Sequence, residues 1–363
     1  MNEFSSGPIE VSKQSLPGIE GITAEWLSQT LSAVGETVEV QALESEPVGS
    51  GQLGDTFRLH LRYAEGSSGP RSMICKLAAR DEGSRAIASE WSLYHREIGF
   101  YQTLARRTSA RTPLCHAALI DHAGRFVLLL EDLNDAQVGD QFEGLGESRA
   151  RGAMHQVARL HADFWNCGEG EEFAWLESGR MAQPFYDASV LRSAWPGFRD
   201  RYADKMSAPM IEVCDRLVER YENYSASLER PRCVTHNDYR PDNMLFTRGD
   251  DQFTVDWQSA ALGYNAVDVA YLIGGSYEPT ARRVVERALL EEYISALRSS
   301  GVEDYSTAML EEDYRHFAFA GINVAVGAAM MVKRTERGDA MFLTMLDRHV
   351  WHALDWDSMQ ILR

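Results

Sequence analysis

Apolar and polar residues alternate along residues 56 to 63, and a period of two predicts a β-strand. The glycine- and proline-containing stretch 65–70 then returns the chain into a second apolar segment, 72–77, so we expect a hairpin. A second strand pair is predicted at 115–121 and 125–130. The first third of the chain is therefore expected to be rich in β-sheet.

Helical spacing of apolar residues dominates the rest of the chain. One short helix with Thr23 as its N-cap and one long helix are predicted before residue 132, and further helices follow it. A small pair of strands at 243–246 and 253–256 interrupts the second part. The predicted helices are 22–34, 84–104, 148–165, 210–228, 280–298 and 311–335.

This order of elements predicts an α+β chain with two lobes. We expect a small sheet-rich N-lobe over residues 1–132 and a larger, mainly helical C-lobe over residues 133–363.

Composition narrows the functional classes. The 363 residues are 44% hydrophobic and 25% charged, which is typical of a globular protein. No apolar run approaches the ~20 residues that span a bilayer, and the polar N-terminus does not resemble a secretory signal, so we expect a cytoplasmic protein without a membrane partner. The five cysteines are scattered and predict reduced thiols. A net charge of −18 argues against a nucleic-acid partner.

The segment 236–243, His-Asn-Asp-Tyr-Arg-Pro-Asp-Asn, carries the strongest chemical signal. Phosphoryl transfer needs one carboxylate to orient an attacking hydroxyl and accept its proton, and Asp238 suits that role. It also needs oxygen ligands for Mg²⁺ on the phosphates, which Asn243 and Asp256, at the end of the next strand, would supply. A surface turn rich in Asn and Asp is the alternative, but the flanking apolar strands favour the catalytic interpretation.

The first lobe contains candidate phosphate-binding parts. Gly49, Gly51 and Gly54 have GxGxxG spacing and precede a predicted hairpin, as in kinases, although a plain glycine-rich turn is an equal alternative. Lys76 lies inside an apolar strand, where it could reach the phosphates of ATP or simply extend to solvent at a sheet edge. Its carboxylate partner would come from the long helix, as Glu90 or, preferably, Glu97.

Beyond these motifs, a wider set of segments follows one family pattern. They are Lys76, Glu97, 100–101, Leu104, 128–133, 160–165, 236–243, 255–258 and 263–271. This set resembles the aminoglycoside and choline kinase-like phosphotransferases, and most closely their ecdysteroid kinase-like branch and its bacterial relatives. The resemblance extends over nearly the whole chain and implies a bilobal protein-kinase-like fold.

The resemblance implies roles for individual residues. Asp238 matches the catalytic base, Asn243 and Asp256 the magnesium ligands, and Lys76 with Glu97 the phosphate-binding pair. Backbone groups of Leu130, Glu131 and Leu133 match the adenine-binding hinge. Asp268 matches an acidic anchor of the catalytic loop, and His236 a bracing residue of the same loop.

Two departures from protein kinases argue against a protein substrate. Asp256 is followed by Trp257-Gln258 where protein kinases have Phe-Gly, and no segment ending in Ala-Pro-Glu follows. We therefore expect an ATP- and Mg²⁺-dependent kinase that phosphorylates a hydroxyl on a small molecule.

The acceptor is less defined by the sequence. The apolar side chains expected near it favour a lipophilic alcohol, such as a steroid-like or acyl-chain hydroxyl, whereas the net acidity would also suit a cationic aminoglycoside. A catalytically silent nucleotide-binding regulator is the alternative from another class. The apolar residues are Phe317, Phe319, Ala320, Val324, Met330 and Met331.

Overall fold

The computed structural model forms two compact units. The described residues are 9–49, 53–168, 170–177, 188–225 and 228–363. The first unit comprises Met1–Arg107, Thr112–Asp135 and Asp256–Gln258, and the second comprises Thr108–Arg111, Ala136–Val255 and Ser259–Arg363. The short segment Asp256–Gln258 thus belongs to the first unit, although it lies far along the chain.

A mixed sheet of six strands in the order β1-β5-β6-β4-β3-β2 forms the first unit. All neighbouring pairs are antiparallel except β1 and β5. The strands are β1 Val11–Ser12, β2 Val40–Pro47, β3 Gly54–Tyr63, β4 Ser72–Ala78, β5 Cys115–Asp121 and β6 Phe126–Glu131. The alternating pattern predicted for residues 56–63 is confirmed, because Phe57, Leu59 and Leu61 are buried in the core of this unit.

Three helices accompany the sheet, α1 Ala24–Ala33, α2 Glu82–Glu90 and α3 Leu93–Gly99. As predicted, α1 is capped by Thr23, whose hydroxyl accepts the amide hydrogen of Trp26 at 3.1 Å. This contact satisfies one of the amides that have no partner in the first turn.

The single long helix predicted over residues 84–104 is wrong, because the helix is interrupted once and changes its helical type once. Ser92 adopts a left-handed conformation with φ of 57° between α2 and α3, and Phe100–Leu104 then continue α3 as a π-helix. Apolar spacing does not reveal these breaks, since both helices bury side chains. The consequence is that Glu90 is exposed on α2, whereas Glu97 on α3 is buried.

The second unit is mainly helical, with two small sheets in the orders β10-β9-β7 and β11-β8. Its strands are β7 Gln137–Val138, β8 Cys233–Thr235, β9 Met244–Phe246, β10 Gln252–Thr254 and β11 Ala261–Gly263. Its helices are α4 Glu147–Asp163, α5 Ala188–Tyr202, α6 Ala208–Glu219, α7 Tyr221–Tyr224, α8 Ala266–Ser276, α9 Pro279–Ser299, α10 Thr307–His316, α11 Ala320–Met331 and α12 Glu336–Asp355.

The predicted helices of this unit are found with shifted ends, and two of them are divided. The helix predicted over 210–228 is divided into α6 and α7, which ends at Tyr224, and the helix predicted over 311–335 is divided into α10 and α11, which ends at Met331, with a 3₁₀ turn at Phe317–Phe319 between them. Three helices were missed: α5, α8 and α12. Every residue of α8 is buried, so it has no polar face and therefore no helical periodicity to detect.

The α+β class is confirmed by these elements. None of the helices among the described residues has both the length and the apolar character needed to cross a bilayer.

Candidate active site

Lys76, Glu97 and Asp256 meet in the first unit, and we call them the Lys76 cluster. The Lys76 ammonium lies 2.5 Å from Glu97 Oε1 and 3.2 Å from Asp256 Oδ1. Strand β4 positions Lys76 and helix α3 positions Glu97. Of the two glutamates left open by the sequence, Glu97 is therefore the partner of Lys76.

The charges of this cluster depend on each other. Burial alone would lower the pKa of Lys76, but the carboxylates of Asp256 and Glu97 outweigh it and raise that pKa above its usual range. Lys76 is therefore a permanent cation at neutral pH. Burial raises the pKa of Glu97, an effect that the Lys76 ammonium opposes. A half-buried cation held by two carboxylates is suited to bind phosphate oxygens, because its charge and position are both fixed.

Asp256 is presented by an unusual backbone conformation. Its φ of 67° lies in the left-handed region, which non-glycine residues adopt rarely and often at functional sites. The next residue, Trp257, is buried and stacks on Phe100 with ring centroids 3.6 Å apart. The bulky residue that departs from the Phe-Gly pattern of protein kinases thus packs on the π-helix and holds the Asp256 segment in the first unit.

The expected nucleotide-binding loop is only partly described. Gly49 has φ of 76°, a conformation that favours glycine, and Gly54 begins β3 opposite Ala78. Gly51 lies outside the described residues.

In the expected hinge, Leu130 pairs with Ile74 and Cys115 as part of β6. The Glu131 amide already donates a hydrogen bond to Leu114 O at 2.8 Å. An adenine ring bound to this segment would therefore rely on other backbone groups. Leu133 follows the end of β6 and is partly exposed.

In the second unit, the Asp238 carboxylate contacts three polar side chains, and we call Asp238, Arg240, Asn243 and Tyr271 the Asp238 cluster. Tyr271 donates to Asp238 Oδ1 at 3.0 Å, and Arg240 Nε lies 3.0 Å from the same oxygen. Asn243 donates from Nδ2 to Asp238 Oδ2 at 2.8 Å. These contacts orient the carboxylate that the sequence indicated as the base.

The orientation of the Asn243 amide follows from its partners. Nδ2 also donates to the Asp238 carbonyl oxygen at 2.9 Å, so both acceptors require the nitrogen on this side. The amide oxygen accepts no hydrogen bond within the described part of the chain. An oriented amide oxygen on Asn243 and a carboxylate on Asp256 are hard oxygen donors of the kind that Mg²⁺ prefers, so these residue types fit that ion.

Asp268 on α8 anchors the loop that carries Asp238. Its two carboxylate oxygens accept the amide hydrogens of His236 and Asn237, each at 2.7 Å. Asn237 has φ of 61°, and its left-handed backbone turns successive amides toward one carboxylate. His161, fully buried, lies 3.2 Å from the same carboxylate.

His236 braces this loop through its side chain. Its Nε2 lies 3.0 Å from the Val255 carbonyl oxygen, and its Nδ1 accepts the Asp238 amide hydrogen. Both ring nitrogens are therefore occupied by backbone groups, in agreement with a structural role.

Sequence reasoning did not assign roles to Arg240 and Tyr271. Arg240 lies inside the segment 236–243, and its position two residues after Asp238 is the signal that could have identified it. Tyr271 is 33 residues from Asp238 on the fully buried helix α8, where its side chain direction was not predictable.

Known structures with a similar fold include small-molecule kinases and phosphotransferases. Ethanolamine kinase from Plasmodium vivax has a TM-score of 0.55 at 11% identity, covering 85% of this chain and 82% of that chain. The GDP complex of aminoglycoside 2'-phosphotransferase-IIIa has a TM-score of 0.55 at 12% identity, covering 90% and 98%. A microcompartment-associated aminopropanol kinase has a TM-score of 0.51 at 14% identity, covering 93% and 99%. These likenesses establish the protein-kinase-like fold.

The family follows from the sequence itself. Residues 49–301 match the model of the ecdysteroid kinase-like family, and the chain belongs to this family. No curated protein sequence matches the chain. Membership of a kinase-like family supports phosphotransferase chemistry on a small molecule.

Proposed function

We propose that this protein transfers the γ-phosphate of MgATP to a hydroxyl group of a small molecule. Asp238 accepts the hydroxyl proton, the hydroxyl oxygen forms a bond to the γ-phosphorus, and the bond to the bridging oxygen breaks to release ADP. The observation that carries the proposal is the Asn243–Asp238 hydrogen bond of 2.8 Å, which orients a base and a metal-ligating amide together.

The remaining roles follow from the two clusters. Lys76, held by Glu97, binds phosphate oxygens, and Asn243 and Asp256 are the two metal ligands. Bound Mg²⁺ would neutralise negative charge on the phosphates. Residues 49–54 would cover the phosphates of ATP, and the backbone from Leu130 to Leu133 would bind its adenine ring.

For the acceptor we propose a lipophilic alcohol. Phe317, Phe319 and Ala320 are at most 1% exposed and belong to the core, so they do not reach an acceptor. Val324 and the neighbouring methionines 330 and 331 are half-buried and remain available. The names of the similar structures point to amino alcohols and aminoglycosides, and the net charge of −18 would suit such cations.

The test is a panel of acceptors with nucleotide consumption as the readout. The panel contains steroid-like alcohols, acyl-chain alcohols, amino alcohols and aminoglycosides, each with MgATP or MgGTP. We expect ADP release with a lipophilic alcohol. Turnover with aminoglycosides alone would reject the lipophilic preference and retain the kinase.

A thermal-shift series separates the remaining outcomes. We expect ATP to raise the melting temperature only in the presence of Mg²⁺. Such a shift without turnover on any acceptor would favour the silent regulator. Absence of both the shift and turnover would overturn the proposal.

A further inference from the structure

The two oxygens of the Asp238 carboxylate have different surroundings. Oδ1 accepts a hydrogen bond from the Tyr271 hydroxyl at 3.0 Å and forms an ion pair with Arg240, whose Nε lies at 3.0 Å. Oδ2 has one donor among the described residues, Asn243 Nδ2 at 2.8 Å. A carboxylate oxygen has about two lone-pair positions for hydrogen bonds. Oδ1 is therefore held by a hydrogen bond and an ion pair together, whereas Oδ2 has one hydrogen bond and can accept another.

Tyr271 is fixed and remains a donor. It is 2% exposed on α8, and its ring stacks on His349 with ring centroids 5.6 Å apart and an angle of 19° between the planes. Burial and the Asp238 carboxylate raise the pKa of Tyr271 well above its usual range. The phenol thus stays protonated and can only donate to the carboxylate it faces.

Arg240 is fixed in the same way. Its Nη1 donates to Asp242 Oδ2 at 2.9 Å and lies 3.3 Å from Met341 Sδ. Burial alone would lower the pKa of Arg240, but Asp238 and its other neighbours raise it. The guanidinium is thus a permanent cation paired with two carboxylates, those of Asp238 and Asp242.

We propose that Tyr271 and Arg240 are positioning residues that select Asp238 Oδ2 as the oxygen that receives the acceptor proton. The inference rests on the proposed function. In the transfer, the O–H bond of the acceptor breaks as its proton moves to Oδ2, and the acceptor oxygen bonds to phosphorus as ADP leaves. Tyr271 and Arg240 exchange no proton; they keep Oδ1 occupied so that one oxygen faces the acceptor.

The first test is Tyr271→Phe, which removes the hydroxyl and keeps the ring. The probes are MgATP with the best acceptor of the panel and MgATP with water as acceptor. Misplacement of a catalytic group by about 1 Å can cost 10²-fold. We expect kcat to fall about 10- to 100-fold while the KM for ATP changes less than about twofold, since Tyr271 acts on the base and not on nucleotide binding. Arg240→Gln should lower kcat in the same way.

A matched control is Tyr305→Phe. Tyr305 is also fully buried in the second unit and donates to a carboxylate, Asp313 Oδ2, at 2.8 Å. The Tyr305→Phe variant should be less stable than the wild type and should have the same kcat. Equal losses of kcat in both variants, or a loss only in KM for ATP, would overturn the positioning role.

Crystal structures of the wild type and of Tyr271→Phe give a readout that does not depend on activity. We expect one carboxylate orientation of Asp238 in the wild type and a rotated or mixed orientation in the variant. An unchanged orientation would reject the inference even if the enzyme is active. If neither protein consumes ATP, the proposed function fails, and the two crystal structures still decide whether Tyr271 orients Asp238.

Discussion

Lys76 Nζ lies 3.2 Å from Asp256 Oδ1, although 180 positions separate the two residues in the chain. The same ammonium contacts Glu97, so one cation holds two carboxylates from distant parts of the sequence. The three charges therefore depend on each other, and removing one changes the position of the others.

Glu97→Gln should impair nucleotide use without removing the cation. A hydrogen bond to a charged group contributes about 1.5–3 kcal/mol, and each 1.4 kcal/mol corresponds to about tenfold. We expect kcat/KM for ATP to fall about 10- to 100-fold, measured as ADP release with the best acceptor. The matched control is Glu90→Gln, the same change on the exposed face of α2, which should have little effect. Similar losses in both variants would contradict the assigned pairing.

Asp238→Ala should abolish turnover and spare nucleotide binding. Loss of a general base costs about 10²- to 10⁴-fold, and the Lys76 cluster, which we propose binds the phosphates, is intact in this variant. ADP release and the Mg²⁺-dependent thermal shift with ATP measure the two effects separately. Asp304→Ala is a suitable control, because Asp304 is exposed and, among the described residues, its side chain accepts one hydrogen bond, from the half-buried Trp165 indole. Undiminished ADP production by Asp238→Ala would show that another group is the base.

Asp268→Asn should loosen the loop that carries Asp238. The side-chain amide of asparagine has only one acceptor oxygen, whereas the Asp268 carboxylate has two. One of the backbone amide hydrogens of His236 and Asn237 would therefore lose its acceptor. We expect the free energy of unfolding to fall by about 1.5–3 kcal/mol, measured by urea denaturation, together with a lower kcat. An unchanged unfolding midpoint would mean that the loop does not depend on this anchor.

Gly274→Ala should destabilise the protein, whereas the same substitution at Gly152, also in the second unit, should stabilise it. A Cβ at Gly274 would lie 2.6 Å from His352 Nδ1 and 2.7 Å from His349 Nδ1, so the packing of α8 on α12 would have to shift. We expect a loss of about 1–3 kcal/mol in the free energy of unfolding.

Gly152→Ala in α4 is the control for this prediction. A Cβ there would have only an ordinary contact, at 3.9 Å from Asp250 O. Alanine should therefore stabilise the helix by about 0.5–1 kcal/mol. Urea denaturation of both variants checks the opposite signs, and a stabilising Gly274→Ala would refute the packing argument.

Buried histidines should make the fold sensitive to mild acid. Burial, with the positive charge of Arg282 and Arg348 nearby, lowers the pKa of His349 to about 3, and burial likewise lowers the pKa of His352 well below its usual range. In the unfolded chain both regain an ordinary value of about 6.5. Below that pH the unfolded state binds more protons, so this stability is complete above pH ~6.5 and is lost as the pH falls toward about 3.

Urea denaturation between pH 7 and pH 4.5 measures this loss. Each histidine should contribute a slope of up to about 1.4 kcal/mol per pH unit. His349→Leu should be less stable at pH 7 and show a shallower slope, whereas the exposed His122→Leu should follow the wild type. Equal slopes in all three proteins would reject this origin of acid sensitivity.

Local sequence patterns predicted the strands and helices that have one buried face and one exposed face. The strand β3 alternates because one side is buried in the first unit, and Thr23 identifies the start of α1 because a cap is a local contact. Helix α8 was missed for the opposite reason: it is buried on every side. The break at Ser92 was missed because α2 and α3 both continue the apolar spacing across it.

The sequence by itself determined which residues are candidates for the active site. Asp238, Asn243 and Asp256 are recognisable from their spacing and from the apolar strands beside them. Only the tertiary structure decided that Lys76 pairs with Glu97 and that Tyr271 occupies one oxygen of Asp238. The physical reason is that residue type and short-range spacing are encoded locally. The direction of a side chain across dozens of residues depends instead on where helices break and how they pack.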